Sequence, residues 1–497
     1  MRYFLGIDVG TSGVKAALID ERGNVKVAAT AAHPLATPRP GWAEQNPVDW
    51  WTSSVTAIKK ALRAGKVRGA DVAAVGLSGQ MHSSVFLDRS LQVIRPALLW
   101  CDGRTTAQCQ AITAKVGEQQ LRDWVSNPAL EGFTLPKVLW LRDQEPGAFR
   151  RLSKVVLAKD YVRLRLTGVL ATEPSDASAT LMYDTAHLQW SRPLMDAMGL
   201  DMALLPEVGG SAEVLGSIDA AAAKATGLAF GTPVVGGGAD NACGAVGVGL
   251  VSPGEAVASW GTSGTVLTPT AEPLVDPAMR AHTFCHAVPG TWYLMGVMLT
   301  AGGAFAWHAR ELARELAGKK DGLTKLNDEA SSVAPGADGV TFLPYLQGER
   351  TPHRDASARG AFVGLSLAHT RAHLTRAVIE GICFGMRDSL TILRDLNIAL
   401  DRVLLTGGGA QAPFIRRMQA EIYGLPVVTV NREEGPAYGA ALLAAVGAQA
   451  FPDVPTACKK TLKRLAPLRP SARAHAAYDA PYRRFQALYP ALRRAAE

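Results

Sequence analysis

The chain has 497 residues, 48% apolar and 19% charged, with 49 Gly and 29 Pro. That exceeds what one hydrophobic core usually sustains, and it excludes collagen-like chains and chain-wide disorder. The formal charge of +8 is weak support for a nucleic acid or membrane partner. The surplus crowds Lys459, Lys460, Lys463, Arg464, Arg469, Arg473, Arg483, Arg484, Arg493 and Arg494, where a solvated basic face explains it.

In chain order, the apolar run "FLGIDV" (4–9) is followed by Gly10-Thr11-Ser12-Gly13 and a second run, "VKAALI" (14–19), which predicts a hairpin. A strand so near the start leaves no room for an export signal, and no 18-residue apolar run follows. A cytoplasmic location is expected, with no membrane partner. Asn46 and Pro47 cap a helix whose Val48, Trp51, Val55, Ile58 and Leu62 recur at three-and-four spacing. "VAAVGLS" (72–78) reads as a buried strand and residues 85–100 as a hairpin. The glycine-rich stretch 236–255 marks a boundary near residue 250, dividing the chain into 1–248 and 249–497. Beyond it "AVASW", a second Gly-Thr-Ser-Gly at 261–264, and "TVLT" repeat the opening pattern. "RVLLTGGGAQAPFIRRMQAEIYG" (402–424), "PVVTV" and "GPAYGAALLAAVG" then give strand, helix, strand and helix. The fold class is α/β, in two related halves around a cleft, each with an open, partly parallel sheet. Six cysteines, at 101, 109, 243, 285, 383 and 458, show no CxxC pair or zinc-like spacing, which suits reduced thiols in a cytosol.

Each Gly-Thr-Ser-Gly turn directs backbone N–H groups and hydroxyls at one point, forming a nest for phosphate oxygens; a plain hairpin turn explains either copy alone. Asp8 beside the first nest suits Mg²⁺, with Lys15 adding charge nearby. Asp240 and Asn241 leave the glycine run, where the Asp is a general base or a helix cap. Gln80, Met81 and His82, with Trp100, Asp102 and Arg104, follow strands or the predicted hairpin and suit a polyhydroxylated ligand. "GGGAQA" (407–412), with Glu433 beyond the next strand, satisfies a dinucleotide fingerprint, which keeps an NAD-dependent sugar or polyol dehydrogenase as the alternative. No P-loop occurs, so ATP chemistry would fall to the two hairpin nests.

Two longer stretches, "GFTLPKVLWLRDQ" (132–144) and "GAFVGLSLAHTRAHLTRAVIE" (360–380), resemble the signatures of the FGGY carbohydrate kinases. "GIDVGTSGVK", "GWAEQNPVDWW", "GQMH", "LLWCDGR", "SWGTSG", "FLPYLQGERTPH" and "YRRFQALYPAL" extend the resemblance nearly end to end. It implies two actin-like, ribonuclease-H-like domains flanking a deep cleft, and transfer of the γ-phosphoryl group of ATP to a sugar hydroxyl. The similarity is strongest to members acting on D-xylulose, and it implies Asp240 as the base on O5, with Met81, His82 and Asn241 touching the sugar. It further implies phosphate and Mg²⁺ contacts at Gly10, Thr11, Ser12 and Asp8, and nucleotide contacts at Gly261, Thr262, Gly303, Gly408 and Gly409. Another ketose or a polyol remains an alternative acceptor, and a homodimer is compatible with the family. Ser83 and Ala239 stand where relatives carry glycine, which could trim the sugar pocket.

Overall fold

The structure is a computed structural model that describes residues 2–432 and 434–496. It is built on two large sheets with one shared plan. In the first, Tyr3–Val9 and Gly13–Asp20 form an antiparallel hairpin, extended antiparallel by Val25–Ala32. On the other side of Tyr3–Val9 lie Val72–Gly79 and then Pro233–Val235, both parallel to their neighbours. In the second sheet Glu255–Trp260 and Gly264–Thr270 form the hairpin and Trp292–Met298 extends it antiparallel. Arg402–Gly407 and Val427–Val428 follow in parallel on the other side. The repeated quartet is therefore the turn of the first hairpin in each of two equivalent sheets.

Helix Pro47–Gly65 begins where its cap predicts, with the Asn46 side chain accepting from the Val48 N–H. Of the face the spacing suggested, Ile58 and Leu62 are buried, Trp51 and Val55 are half-buried and only Val48 is exposed. The buried stripe is rotated by about one residue, adding Trp50, Ser54, Ala57 and Ala61, which lie over the strands Gly13–Asp20 and Val25–Ala32. The expected hairpin at 85–100 also differs. Val85–Leu87 pairs with Lys154–Val156, and Ala97–Leu98 pairs with Glu44–Gln45, leaving only single bridges such as Leu87 to Val93 within the segment. Long-range partners captured both short strands.

Helix Pro436–Gly447 follows the second sheet in sequence but is seated on the first. A Cβ on Gly6 would lie 1.9 Å from the Ala437 carbonyl oxygen, and one on Gly76 would lie 2.0 Å from that of Ala440. The same helix crosses Asp240–Gly247 in backbone contact, since a Cβ on Gly439 would sit 1.9 Å from the Cys243 oxygen. This explains its lack of polarity, because residues 437–445 are all buried. Among the described residues no helix is long and apolar enough to cross a membrane.

Candidate active site

The carboxyl ends of the strands in the first sheet carry one group of site residues. Asp8, Ser78 and Gly238 stand level across three neighbouring strands, because Asp8 pairs with Ser78 and Ser78 with Gly238. Two residues past these three the chain presents the Gly10–Gly13 turn, the Gln80–His82 segment and Asp240. The turn is closed by the Gly10 N–H donating to the Gly13 carbonyl at 3.1 Å.

Side chains from three directions hold this turn. The Trp100 indole N–H donates to the Thr11 hydroxyl at 3.0 Å, and that hydroxyl donates to Gln80 Oε1 at 3.3 Å. Gln45 Nε2 donates to the Thr11 carbonyl at 2.7 Å, while Gln45 Oε1 accepts from Gln80 Nε2 at 3.0 Å and from the Trp50 indole at 2.9 Å. Gln80 is thus buried with one end of its amide on Thr11 of the hairpin and the other on Gln45. The sequence offers Gln80 and Trp100 to a sugar; in the structure Gln80 Oε1 and the Trp100 indole N–H both meet the Thr11 hydroxyl, and Gln80 Nε2 meets Gln45. Asp102 and Arg104 form a local bridge at 2.7 Å, and the Arg104 guanidinium lies 3.6 Å from the centroid of Trp42.

Asp240 opens helix Asp240–Gly247, and its Oδ1 accepts from the Asn241 backbone N–H at 2.8 Å and from Asn241 Nδ2 at 3.0 Å. Burial, and then the nearby Asp8 carboxylate, push its pKa up to about 7. Burial raises Asp8 itself to about 6, eased by Ser78 and Lys15. Asp8 Oδ1 is buried with no hydrogen-bond partner. The glycine run makes this arrangement possible: Gly237 has φ +77°, and a Cβ there would meet the Leu77 carbonyl oxygen at 2.0 Å.

Beside Asp240, Met81 Sδ accepts from Asn241 Nδ2 at 3.4 Å, and the Tyr293 hydroxyl from the second sheet lies 3.9 Å from the same sulfur. His82 is buried with φ +65°. Its Nδ1 lies 2.5 Å from the Ala179 carbonyl oxygen, an acceptor only, so the proton sits on Nδ1 and Nε2 is left as an acceptor. Burial holds the ring neutral, well below the usual imidazole range. Sequence reasoning did not single out Lys137 and Thr134, whose side chains both donate to the His82 carbonyl, at 3.0 and 3.2 Å. They fix a left-handed backbone that costs a non-glycine residue about 1–2 kcal/mol. Lys137 is fully buried and burial lowers it to about 7.

The second sheet carries its own groups at the carboxyl ends of Glu255–Trp260 and Arg402–Gly407. In the second turn the Gly261 N–H donates to the Ser263 carbonyl at 3.0 Å. The Gly261 and Thr262 carbonyls accept from the N–H groups of Gly302 and Gly303 at 2.8 and 2.9 Å, fastening the turn to helix Gly302–Leu312. Gly303 therefore allows close packing of turn on helix rather than offering a free donor. Gly408 is exposed and a Cβ on it would meet nothing within 4 Å, whereas one on Gly409 would strike the Trp260 ring at 2.6 Å. Gly408 faces open space and Gly409 packs. Glu433, the acidic residue of the dinucleotide fingerprint, lies outside the described residues. Among the described residues no three His, Cys, Asp or Glu side chains converge as a metal cluster.

The FGGY family of carbohydrate kinases matches this chain with its N-terminal domain over residues 3–247 and its C-terminal domain over residues 256–448. The chain belongs to the FGGY family of carbohydrate kinases. The xylulose kinase of Bacillus subtilis is 39% identical over 472 residues, covering 95% of this chain and 93% of that protein. The xylulose kinase of Lactococcus lactis is 42% identical, covering 91% and 89%. The crystal structure of a xyloylose kinase from Brucella ovis superposes with a TM-score of 0.91 at 36% identity, covering 99% of this chain and all of that one. As an FGGY kinase the protein takes ATP and a sugar, so the glycine loop at 407–412 belongs to a kinase and not to a dehydrogenase. The two equivalent sheets are the actin-like halves of that fold.

Two further parts of the FGGY kinase escaped the sequence reading. Glu349, buried and pushed up to about 8, accepts from the Leu299 and Arg350 N–H groups at 2.9 and 2.8 Å and braces the chain leading into helix Gly302–Leu312. A buried charge network of Lys159, Asp160, Arg163, Glu173 and Asp176 lies behind the Gly236–Ala239 segment. Glu349 lies inside the quoted "FLPYLQGERTPH" and the network spans only residues 159–176, but residue types alone do not show that these groups are buried together.

Proposed function

We propose that this FGGY kinase transfers the γ-phosphoryl group of ATP to O5 of D-xylulose, giving D-xylulose 5-phosphate and ADP. The observation that carries the chemistry is a half-buried Asp240 whose pKa, about 7, lets it accept a proton near neutrality beside Met81, His82 and Asn241. The likeness to proteins named xylulose kinase carries the substrate.

In this reading the sugar's O5–H proton passes to the Asp240 carboxylate. The O5–Pγ bond forms as the bond between Pγ and the β,γ-bridging oxygen breaks, and ADP leaves with that electron pair. His82 Nε2 accepts from a sugar hydroxyl, and Met81 and Asn241 shape the pocket around the carbon chain. The N–H groups of Thr11, Ser12 and Thr262 and the hydroxyls of Ser12 and Thr262 reach the phosphates, while Gly10 and Gly261 close the turns that present them. Gly408 lies along the adenosine and Gly409 packs beneath it, while Gly303 lets the second turn sit on its helix. Gln80 and Trp100 serve the reaction by shaping Thr11.

The orphaned Asp8 oxygen fits a divalent cation of the kind held by one or two carboxylates and by waters. Asp8 would hold Mg²⁺, which supplies charge neutralisation on the phosphates when bound. The chain divides at about residue 248 into a lobe for the sugar and one for the nucleotide, with Pro436–Gly447 shared across that division. Six unpaired thiols support a cytoplasmic setting.

ADP release, coupled to a detecting enzyme, tests the reading over a panel of ketoses, aldoses and polyols. D-xylulose is expected to give the highest kcat/KM. Preference for an aldose or a polyol overturns the substrate, and ADP release that needs no acceptor overturns the kinase chemistry.

A further inference from the structure

The Pro174–Ser178 helical turn and the Ala179 that follows it touch three parts of the site within five residues. The Ser175 hydroxyl accepts from the Ala239 N–H at 2.9 Å, one residue before Asp240. The Ala179 carbonyl receives the His82 ring proton at 2.5 Å. The Ser178 hydroxyl accepts from the Cys285 N–H of the second sheet at 3.1 Å and donates to the Ser175 carbonyl at 3.0 Å.

Ser175 has one proton to give, and Glu173 takes it, with both carboxylate oxygens 2.8 Å from the hydroxyl. That donation turns a lone pair toward the Ala239 N–H, so the hydroxyl acts as a fixed acceptor rather than a rotor. Glu173 is held in turn by the N–H groups of Ser175 and Asp176, by the Ser211 hydroxyl at 2.9 Å and by Lys159 at 3.3 Å. Lys159 also meets Asp160 at 2.7 Å and Asp176 at 3.0 Å, while Arg163 bonds Asp160 and the Gly236 carbonyl, both at 3.1 Å. Five buried ionisable side chains thus form one network, which meets the Gly236–Ala239 segment through Arg163 at Gly236 and through the Glu173-held Ser175 at Ala239. Such networks cost desolvation and are weak evidence for stability, which leaves fixing a geometry as the use the contacts support.

We propose that Ser175 is a positioning residue for the Asp240 base, and that the Pro174–Ala179 segment sets the spacing between Asp240 and His82 across the sugar pocket. This rests on Asp240 acting as the base. A small displacement of a positioned base can cost on the order of 10²-fold in rate.

The test compares wild type, Ser175→Ala, Ser175→Thr and Asp240→Asn, with steady-state kinetics on D-xylulose and ATP beside thermal melts. Ser175→Ala is expected to lower kcat by about 10- to 100-fold with the KM for ATP unchanged, and Ser175→Thr, which keeps the hydroxyl, to recover most of that loss. A melt lowered without any change in kcat reveals a merely structural serine and overturns the proposal. So does a Ser175→Thr variant as slow as Ser175→Ala. A near-normal Ser175→Ala beside an inactive Asp240→Asn overturns the positioning role alone, whereas a fully active Asp240→Asn overturns the base and the positioning role with it.

Discussion

Asp8 lies on a strand separated by one neighbour from Gly238–Ala239, the short strand that leads into Asp240, and the negative charge of Asp8 raises the proton affinity of Asp240. Asp8, at about 6, ionises first; Asp240, at about 7, must then lose its proton beside an existing charge. Two carboxylates in one pocket acquire two tasks this way, one kept ionised to meet cations and one poised to exchange a proton.

The rate of sugar phosphorylation should therefore rise as pH increases through about 7, the range in which Asp240 becomes a carboxylate. Replacing Asp8 by Asn removes the neighbouring charge and should move the inflection of the residual activity to lower pH. Initial rates measured across this range check both, and an unmoved inflection in Asp8→Asn denies the coupling.

Asp240→Asn should lower kcat by at least about 10²-fold while nucleotide binding, followed by calorimetry, stays near that of the wild type. The same substitution should stabilise the free protein above neutrality. A carboxyl raised from 3.8 to about 7 on folding contributes stability that is fully present below 3.8 and lost as pH rises through about 7. Asn escapes that loss, so the melting temperature of the variant should exceed that of the wild type at pH 8 and the gap should close on acidification. A gap that widens on acidification contradicts the assignment.

Trp100→Phe removes the indole N–H that donates to the Thr11 hydroxyl and keeps most of the ring. With Gln80 and Trp100 both serving the first hairpin, the expected outcome is a several-fold rise in the KM for ATP and an unchanged KM for D-xylulose. The opposite pattern would return Trp100 to the sugar.

Gly408 and Gly409 are neighbours with opposite surroundings. Gly408→Ala places its methyl in open space and should leave the melting temperature unchanged while weakening nucleotide binding in a titration. Gly409→Ala drives a methyl into the Trp260 ring and should destabilise the fold by about 1–3 kcal/mol in denaturant unfolding. Equal melting temperatures for the two variants would deny this division of labour.

Much of this architecture is legible in the sequence because its signals are local. The two Gly-Thr-Ser-Gly turns lie where the strand runs predict, and the Asn46-Pro47 cap starts its helix on time. What was not legible depends on partners far away in the chain. Gln80 and Trp100 suit a polyol by residue type, and only the fold shows that Gln80 Oε1 and the Trp100 indole also meet the Thr11 hydroxyl, 69 and 89 residues distant. Helix Pro47–Gly65 buries the expected Ile58 and Leu62 but adds Trp50, Ala57 and Ala61 and exposes Val48, because spacing fixes an apolar stripe and not the angle at which it meets the sheet. Ser175 and Glu173 sit in unremarkable local sequence, and Lys137 lies in the 132–144 stretch without its role being visible there; their meaning comes from the His82 carbonyl and the Ala239 N–H that Lys137 and Ser175 reach.

The backbone contact between Gly439 and Cys243 ties residues far from the cleft to the reacting carboxyl. Asp240 opens the helix that contains Cys243, and Pro436–Gly447 presses on that helix main chain to main chain. Any side chain at 439 would therefore push the two helices apart and shift the base without touching an atom that reacts.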